Sequence, residues 1–177
     1  WTFGDENGTG TAALSAYDYS ATAGTITVQA GAVVVGTDQT LGAKNLQLYG
    51  NSNDQASGDT SGVVFANSTT ASTSGNITVI GHGGGSAGNY GICLQDNGGG
   101  GVITTATGNI SLTGVGGSGA GTCYGVVIED SGSMVQSSGI GGIAINATGS
   151  GSGGSDNNYG LYINTADDET PIITASG

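Results

Sequence analysis

Gly75-Asn76-Ile77-Thr78-Val79 and Gly108-Asn109-Ile110-Ser111-Leu112 are the stretches that decide the fold, and they stand 33 residues apart. After the same interval, Gly141-Gly142-Ile143-Ala144-Ile145 repeats the phrase with glycine in the asparagine position. Looser earlier copies are Asn45-Leu46-Gln47-Leu48 and Thr25-Ile26-Thr27-Val28. A second column runs beside the first: Ser61-Gly62-Val63-Val64-Phe65, Tyr90-Gly91-Ile92-Cys93-Leu94, Tyr124-Gly125-Val126-Val127-Ile128 and Tyr159-Gly160-Leu161-Tyr162-Ile163. A third and less regular column holds Val102-Ile103-Thr104, Met134-Val135-Gln136 and Ile172-Ile173-Thr174.

Within each phrase apolar residues alternate with a second set, which sends successive side chains to opposite faces of a strand. The glycine clusters between phrases, such as Gly83-Gly84-Gly85 and Gly98 to Gly101, read as turns. A helical solenoid of this period needs two helices per repeat and far more Ala, Leu, Glu and Lys. Sandwiches and propellers need antiparallel hairpins, and a fixed one-way order of three columns suits them poorly. The expected fold is all-β: a right-handed parallel β-helix with three strands per rung of about 33 residues and about five rungs in all. The hand follows from the bias of parallel crossovers, and the rungs should lie about 4.8 Å apart. One domain spans 1–177, with 1–23 an irregular N-terminal rung or cap, 24–177 the repeats, and the N-terminal rungs shorter.

Stacked inward positions predict a core of Ile26, Val28, Leu46, Leu48, Val63, Phe65, Ile77, Val79, Ile92, Leu94, Ile110, Leu112, Val126, Ile128, Ile143, Ile145, Leu161 and Ile163. No rung buries its inward face alone; its neighbours complete it.

Composition narrows the partners. One basic residue, Lys44, stands against thirteen acidic ones, for a net charge of −12. Phosphate binding needs clustered Lys and Arg, so nucleic acid is excluded as a partner, and anionic membrane surfaces are disfavoured. No apolar run approaches the ~18–20 residues of a membrane span. Disorder is the rival reading of a Gly/Ser/Thr-rich acidic chain, but regularly placed Val and Ile within a 36 % hydrophobic fraction oppose it. Thirty-eight glycines with a single proline, Pro171, and no glycine at every third position exclude collagen. The opening on Trp1 reads as a mature, excised or partial chain.

The Gly-Asn-Ile-Thr-Val and Gly-Asn-Ile-Ser-Leu phrases, their glycine-rich sequels and the apolar strand after Tyr-Gly resemble the large secreted β-helix proteins of bacterial surfaces, of the filamentous haemagglutinin and autotransporter-passenger type. The resemblance covers roughly residues 24 to 177. It implies secretion, a rod shape and adhesive or scaffolding roles, and it names no ligand.

Asn45, Asn76 and Asn109 precede the first-column strands and predict an asparagine ladder, with amides bonded to one another and to turn backbone. N-glycosylation sequons begin at Asn7, Asn67, Asn76, Asn109 and Asn146. Cys93 and Cys123 fall on adjacent rungs about 13 Å apart at strand rise, beyond the ~7 Å a disulfide allows. Both are expected to point outward, as thiols or intermolecular bridges.

Gly81-His82-Gly83 looks like the histidine motif of the polygalacturonases, but that family also needs upstream paired aspartates and a downstream Arg-x-Lys segment. The chain has no arginine, and nothing basic follows His82, so a turn role is expected. Asp167-Asp168-Glu169 offers paired carboxylates without a matching column. No catalytic, cofactor-binding or metal-ligating residue is therefore assigned. Acidic and amide groups at Asp54, Asp59, Glu129, Asp130 and Asp156 to Asn158 are oxygen ligands of the kind Ca²⁺ takes, yet the glycine-rich nonapeptide signature is unmatched and solvated turns are the expected reading.

The expected function is an extracellular, cell-surface structural or adhesive module, part of a surface fibre or a filament subunit that stacks head to tail, and not an enzyme. Ile172-Ile173-Thr174-Ala175-Ser176-Gly177 stops where another Gly-Asn-Ile phrase is due, with no polar cap. Repeat ends normally need caps, so continuation of the chain or end-to-end self-association is expected. A carbohydrate or host-surface ligand is a further expected partner, and a β-helix acting on or binding polysaccharide is the alternative function.

Overall fold

The computed structural model describes residues 2–4, 10–14, 17–19, 24–36, 40–54, 56–72, 74–95, 100–152, 157–164 and 170–177. Among these residues there are eighteen strands, numbered in chain order, and no helix. The strands sort into three six-stranded parallel sheets that the chain visits in a fixed order, which makes a β-solenoid.

The first sheet holds β1 (Thr2–Gly4), β4 (Thr25–Ala30), β7 (Asn45–Gly50), β10 (Ile77–His82), β13 (Ile110–Val115) and β16 (Ile143–Thr148). The second holds β2 (Thr11–Leu14), β5 (Ala32–Val35), β8 (Val63–Phe65), β11 (Ile92–Leu94), β14 (Val126–Ile128) and β17 (Leu161–Ile163). The third holds β3 (Tyr17–Tyr19), β6 (Thr40–Ala43), β9 (Thr69–Ser72), β12 (Val102–Thr105), β15 (Met134–Ser137) and β18 (Ile172–Ala175).

The registers follow the repeat columns. Leu46 pairs with Ile77, Ile77 with Ile110, and Ile110 with Ile143. Val63 pairs with Ile92, Ile92 with Val126, and Val126 with Leu161. Val102 pairs with Met134, and Met134 with Ile172. Within residues 1–23, β1, β2 and β3 pair in register with β4, β5 and β6.

Alternation fixes the core. In β4 and β7 every second residue is buried, so Ile26, Val28, Leu46 and Leu48 stack along the inside. Expected core residues from Ile26 to Ile128 are all buried. Further core residues are Val33 and Val35 of β5 and Leu41 and Ala43 of β6, strands outside the repeated phrases, and Ile103 and Val135 of the third-column phrases. Inward hydroxyls close one corner. Thr105 Oγ1 donates to the Gly75 carbonyl at 2.9 Å and accepts from Gly108 N–H at 3.1 Å, while Ser137 Oγ donates to the Gly108 carbonyl at 3.1 Å. These two hydroxyls thus find backbone partners in the interior, whereas the buried hydroxyls of Thr60, Ser68 and Thr70 have none.

The turn built by β16, β17 and β18 departs from the expected core. Ile143 and Ile145 are only partly buried, and Leu161 and Ile163 are 41 % and 47 % exposed. Ile173, above the buried Val135, is 38 % exposed. An inward side chain needs turns on both sides to be covered, and here there is a described turn on one side alone.

Candidate functional site

The Tyr-Gly phrase marks the corner where the chain leaves the first sheet for the second. A Cβ placed on Gly91 would stand 2.4 Å from Val115 N and 2.6 Å from the Gly125 carbonyl oxygen, so backbone from neighbouring turns occupies the space a side chain would need. The turns are locked there by backbone bonds: Gly62 N–H to the Tyr90 carbonyl at 2.9 Å, Gly91 N–H to the Tyr124 carbonyl at 3.1 Å, and Gly125 N–H to the Tyr159 carbonyl at 3.1 Å.

This lock brings the tyrosines into a column. The Tyr90 and Tyr124 rings stack with centroids 5.5 Å apart and planes 7° from parallel, and Tyr124 and Tyr159 follow at 5.7 Å and 19°. Tyr162, in register with Val127, brings its ring 4.7 Å from that of Tyr124 and 6.1 Å from that of Tyr159. These separations lie in the favourable range for aromatic pairs. Because the planes are nearly parallel, ring faces are turned to one another. Tyr159, the most open of the four, is 49 % exposed.

Period-two alternation aligned Tyr90, Tyr124 and Tyr159 with the inward Ile92, Val126 and Leu161, but the rings do not join the core. The glycine corner resets the direction of the side chain. Tyr162 was not singled out from the sequence at all. The signal available was an aromatic at the same offset in three successive turns.

Both cysteines, expected to point outward, are buried. Cys93 alternates with the inward Ile92 and Leu94 yet is 5 % exposed, and Cys123 is fully buried. Val127, in register with Cys93, is buried as well, so the second sheet carries an outer apolar layer at these turns. Both residues are thiols outside any disulfide. Cys93 Sγ–H donates to Gln95 Oε1 at 3.1 Å, and Cys123 Sγ–H points to the Gly119 carbonyl at 3.7 Å.

The electrostatics tie these groups together. Burial raises the Tyr90 pKa, and Cys93, Glu129 and Cys123 push it the same way, against a hydrogen bond with the Thr122 side chain. Burial also raises Tyr124, helped by Tyr162, Tyr90, Tyr159 and Glu129. Glu129 is itself raised, first by burial and then by Asp130, while a hydrogen bond with the Asn164 side chain opposes.

Elsewhere, Asn45, Asn76 and Asn109 occupy one position on successive turns. Asn45 Oδ1 accepts from Asn76 N–H at 2.9 Å, Asn76 Oδ1 from Asn109 N–H at 2.9 Å, and Asn109 Oδ1 from Gly142 N–H at 2.8 Å. Each side-chain oxygen reaches the main chain of the next turn, where no strand bond is available. Of the sequons, Asn76, Asn109 and Asn146 are exposed, Asn67 is partly buried with φ 43°, and Asn7 lies outside the described residues. His82 ends β10, in register with Val115. Asp156 and Asp167 to Glu169 also lie outside the described residues. Among the described residues no group of three or more His, Cys, Asp or Glu is placed to hold a metal ion. Comparison with protein-family models, curated proteins and solved structures found no match.

Proposed function

We propose that the chain is an extracellular structural and adhesive module, a unit of a surface fibre or filament whose turns stack head to tail. The observation that carries this reading is the turn of β16, β17 and β18, where inward Leu161, Ile163 and Ile173 stand open above the buried Val126, Ile128 and Val135. These strands are also the edges of the three sheets, with backbone groups available for another strand. A second copy is the fitting occupant. Its β1, β2 and β3 form the opposite edges of the same three sheets, in the same chain order, so one copy's first turn continues another's last. Such a contact is heterologous and yields an open polymer. The phrases that resemble secreted bacterial surface β-helix proteins support the extracellular and adhesive parts of the reading.

The experiment is electron microscopy with sedimentation of the 177-residue chain, beside a Leu161→Lys, Ile163→Lys double variant whose inner turns keep their core. The expected result is rods growing by whole-copy increments in the wild type and single copies in the variant. Monodisperse short rods from the wild type across a wide concentration range would overturn the reading.

A further inference from the structure

The acidic residues are spread unevenly around the three sheets. Asp5, Glu6, Asp54, Asp59 and Asp156 fall in segments that join a first-sheet strand to a second-sheet strand. Asp38, Asp96, Glu129, Asp130 and Asp167 to Glu169 fall in segments that join the second sheet to the third, and Asp18 stands in β3. The segments that return the chain from the third sheet to the first are 20–24, 44, 73–76, 106–109 and 138–142. They contain no acidic residue and hold the one basic side chain, exposed Lys44. This corner is stacked tightly from turn to turn: a Cβ on Gly75, Gly108 or Gly141 would run into a carbonyl of the turn before it. The ladder of Asn45, Asn76 and Asn109 ties the same corner together, and Ile140 projects from it 89 % exposed. The adjoining first sheet continues the uncharged surface. In β4, β7, β10, β13 and β16 inward and outward residues alternate, and none of the outward ones is Asp, Glu, Lys or Arg. Thr27 Oγ1 donates to Gln47 Oε1 at 2.9 Å across two of these strands, so outer side chains are already held in place before a partner arrives.

We propose that this corner and the first-sheet face beside it are where a second copy of the chain lies alongside, so that rods pair side by side in twos. The proposal rests on the head-to-tail reading above and adds a lateral partner to it. Charge selects the face. Two copies meeting through either acidic corner bring like charges within the Debye length, about 8 Å at physiological salt. Across the first sheet the nearest acidic corner is a six-residue strand away, about 20 Å at strand rise. Contact through the asparagine corner therefore leaves the carboxylates of both copies on the far sides, screened from one another. Area decides when pairing occurs. The five strands from β4 to β16 present about 24 Å by about 20 Å, or about 480 Å², which is short of the roughly 800 Å² per partner of a standard stable interface. Lone copies thus stay apart, while a rod repeats the face along its length and gains avidity with every copy added. The number stops at two because a pair presents only its acidic sides to a third rod.

The test is mass per unit length of rods of the full chain, measured by scanning transmission electron microscopy. Thr78→Glu, Ala144→Glu places two charges on the outer face of the first sheet, on strands separated by β13. Ser57→Glu, Ser118→Glu adds the same charge at exposed positions between the first and second sheets and serves as the control, with folding of both checked by circular dichroism. Wild type and control should give paired rods, and the face variant should give rods of half that mass per length. Paired rods in the face variant, or bundles of three and more in the wild type, would overturn the proposal. Single-width wild-type rods would overturn it while leaving head-to-tail growth intact, and if those rods coat microcrystalline cellulose the face belongs to a neutral glycan instead. Wild-type chains that stay single copies would overturn both readings.

Discussion

Glu129 follows β14 on the tyrosine side of the solenoid, and burial together with Asp130 lifts its pKa above the ordinary glutamate value. Between the ordinary value and the lifted one, the folded chain binds more protons than the unfolded chain. Stability therefore falls as pH rises through that window. Below the ordinary value both states are protonated, and the gain in stability is fully present. Thermal melts from pH 7 down to the acid side should show the wild type gaining stability relative to Glu129→Gln; a constant difference between the two would contradict this. The tyrosines illustrate what a residue-level reading of the sequence catches and loses. Their recurrence before three successive second-sheet strands is visible in Tyr90, Tyr124 and Tyr159, but their direction is not, because alternation does not carry through a glycine corner. The same limit applies to Cys93. Its outward parity is legible, while its burial depends on an outer layer that no local pattern announces.

At the level of strands, columns that alternate strictly were legible down to register. Ile77, Ile110 and Ile143 pair as the phrases align. β5, β6 and β9, which carry none of the repeated phrases, were not: β5 is a plain Ala-Val run, and β6 and β9 are short segments rich in small residues and threonine. Their place in the sheets is set by the turns on either side, a non-local cause. The expected core failed in β17 for a related reason, since sequence marks a side chain as inward without saying whether another turn covers it. The two cases separate energetically. Leu112 is fully buried between β10 and β16, and Leu112→Ala should cost about 2–5 kcal/mol. Leu161→Ala, at a site 41 % exposed, should cost far less. Urea unfolding followed by circular dichroism measures both, and equal costs would mean that β17 is covered in solution.

For the molecule as a whole, charge and shape oppose each other. Every copy carries a net charge of −12, so copies approaching end to end repel over roughly the Debye length, about 8 Å at physiological salt. The apolar turn that would join them gains nothing from this field. Growth of rods, followed by light scattering, should accelerate as sodium chloride is raised from low concentration; slower growth would mean that attraction between charges drives the joint.

Hydrogen bonds between turns, such as Ile77 N–H to the Asn109 carbonyl and Val126 N–H to the Gly160 carbonyl, run along the axis of the solenoid. A pull on the two ends therefore loads these bonds in series, one turn after another, whereas bending or sideways load is shared among all three sheets. A rod of this kind is stiff against drag and weak against stretching. A joint between copies made of the same strand pairing would be no stronger than any turn within them.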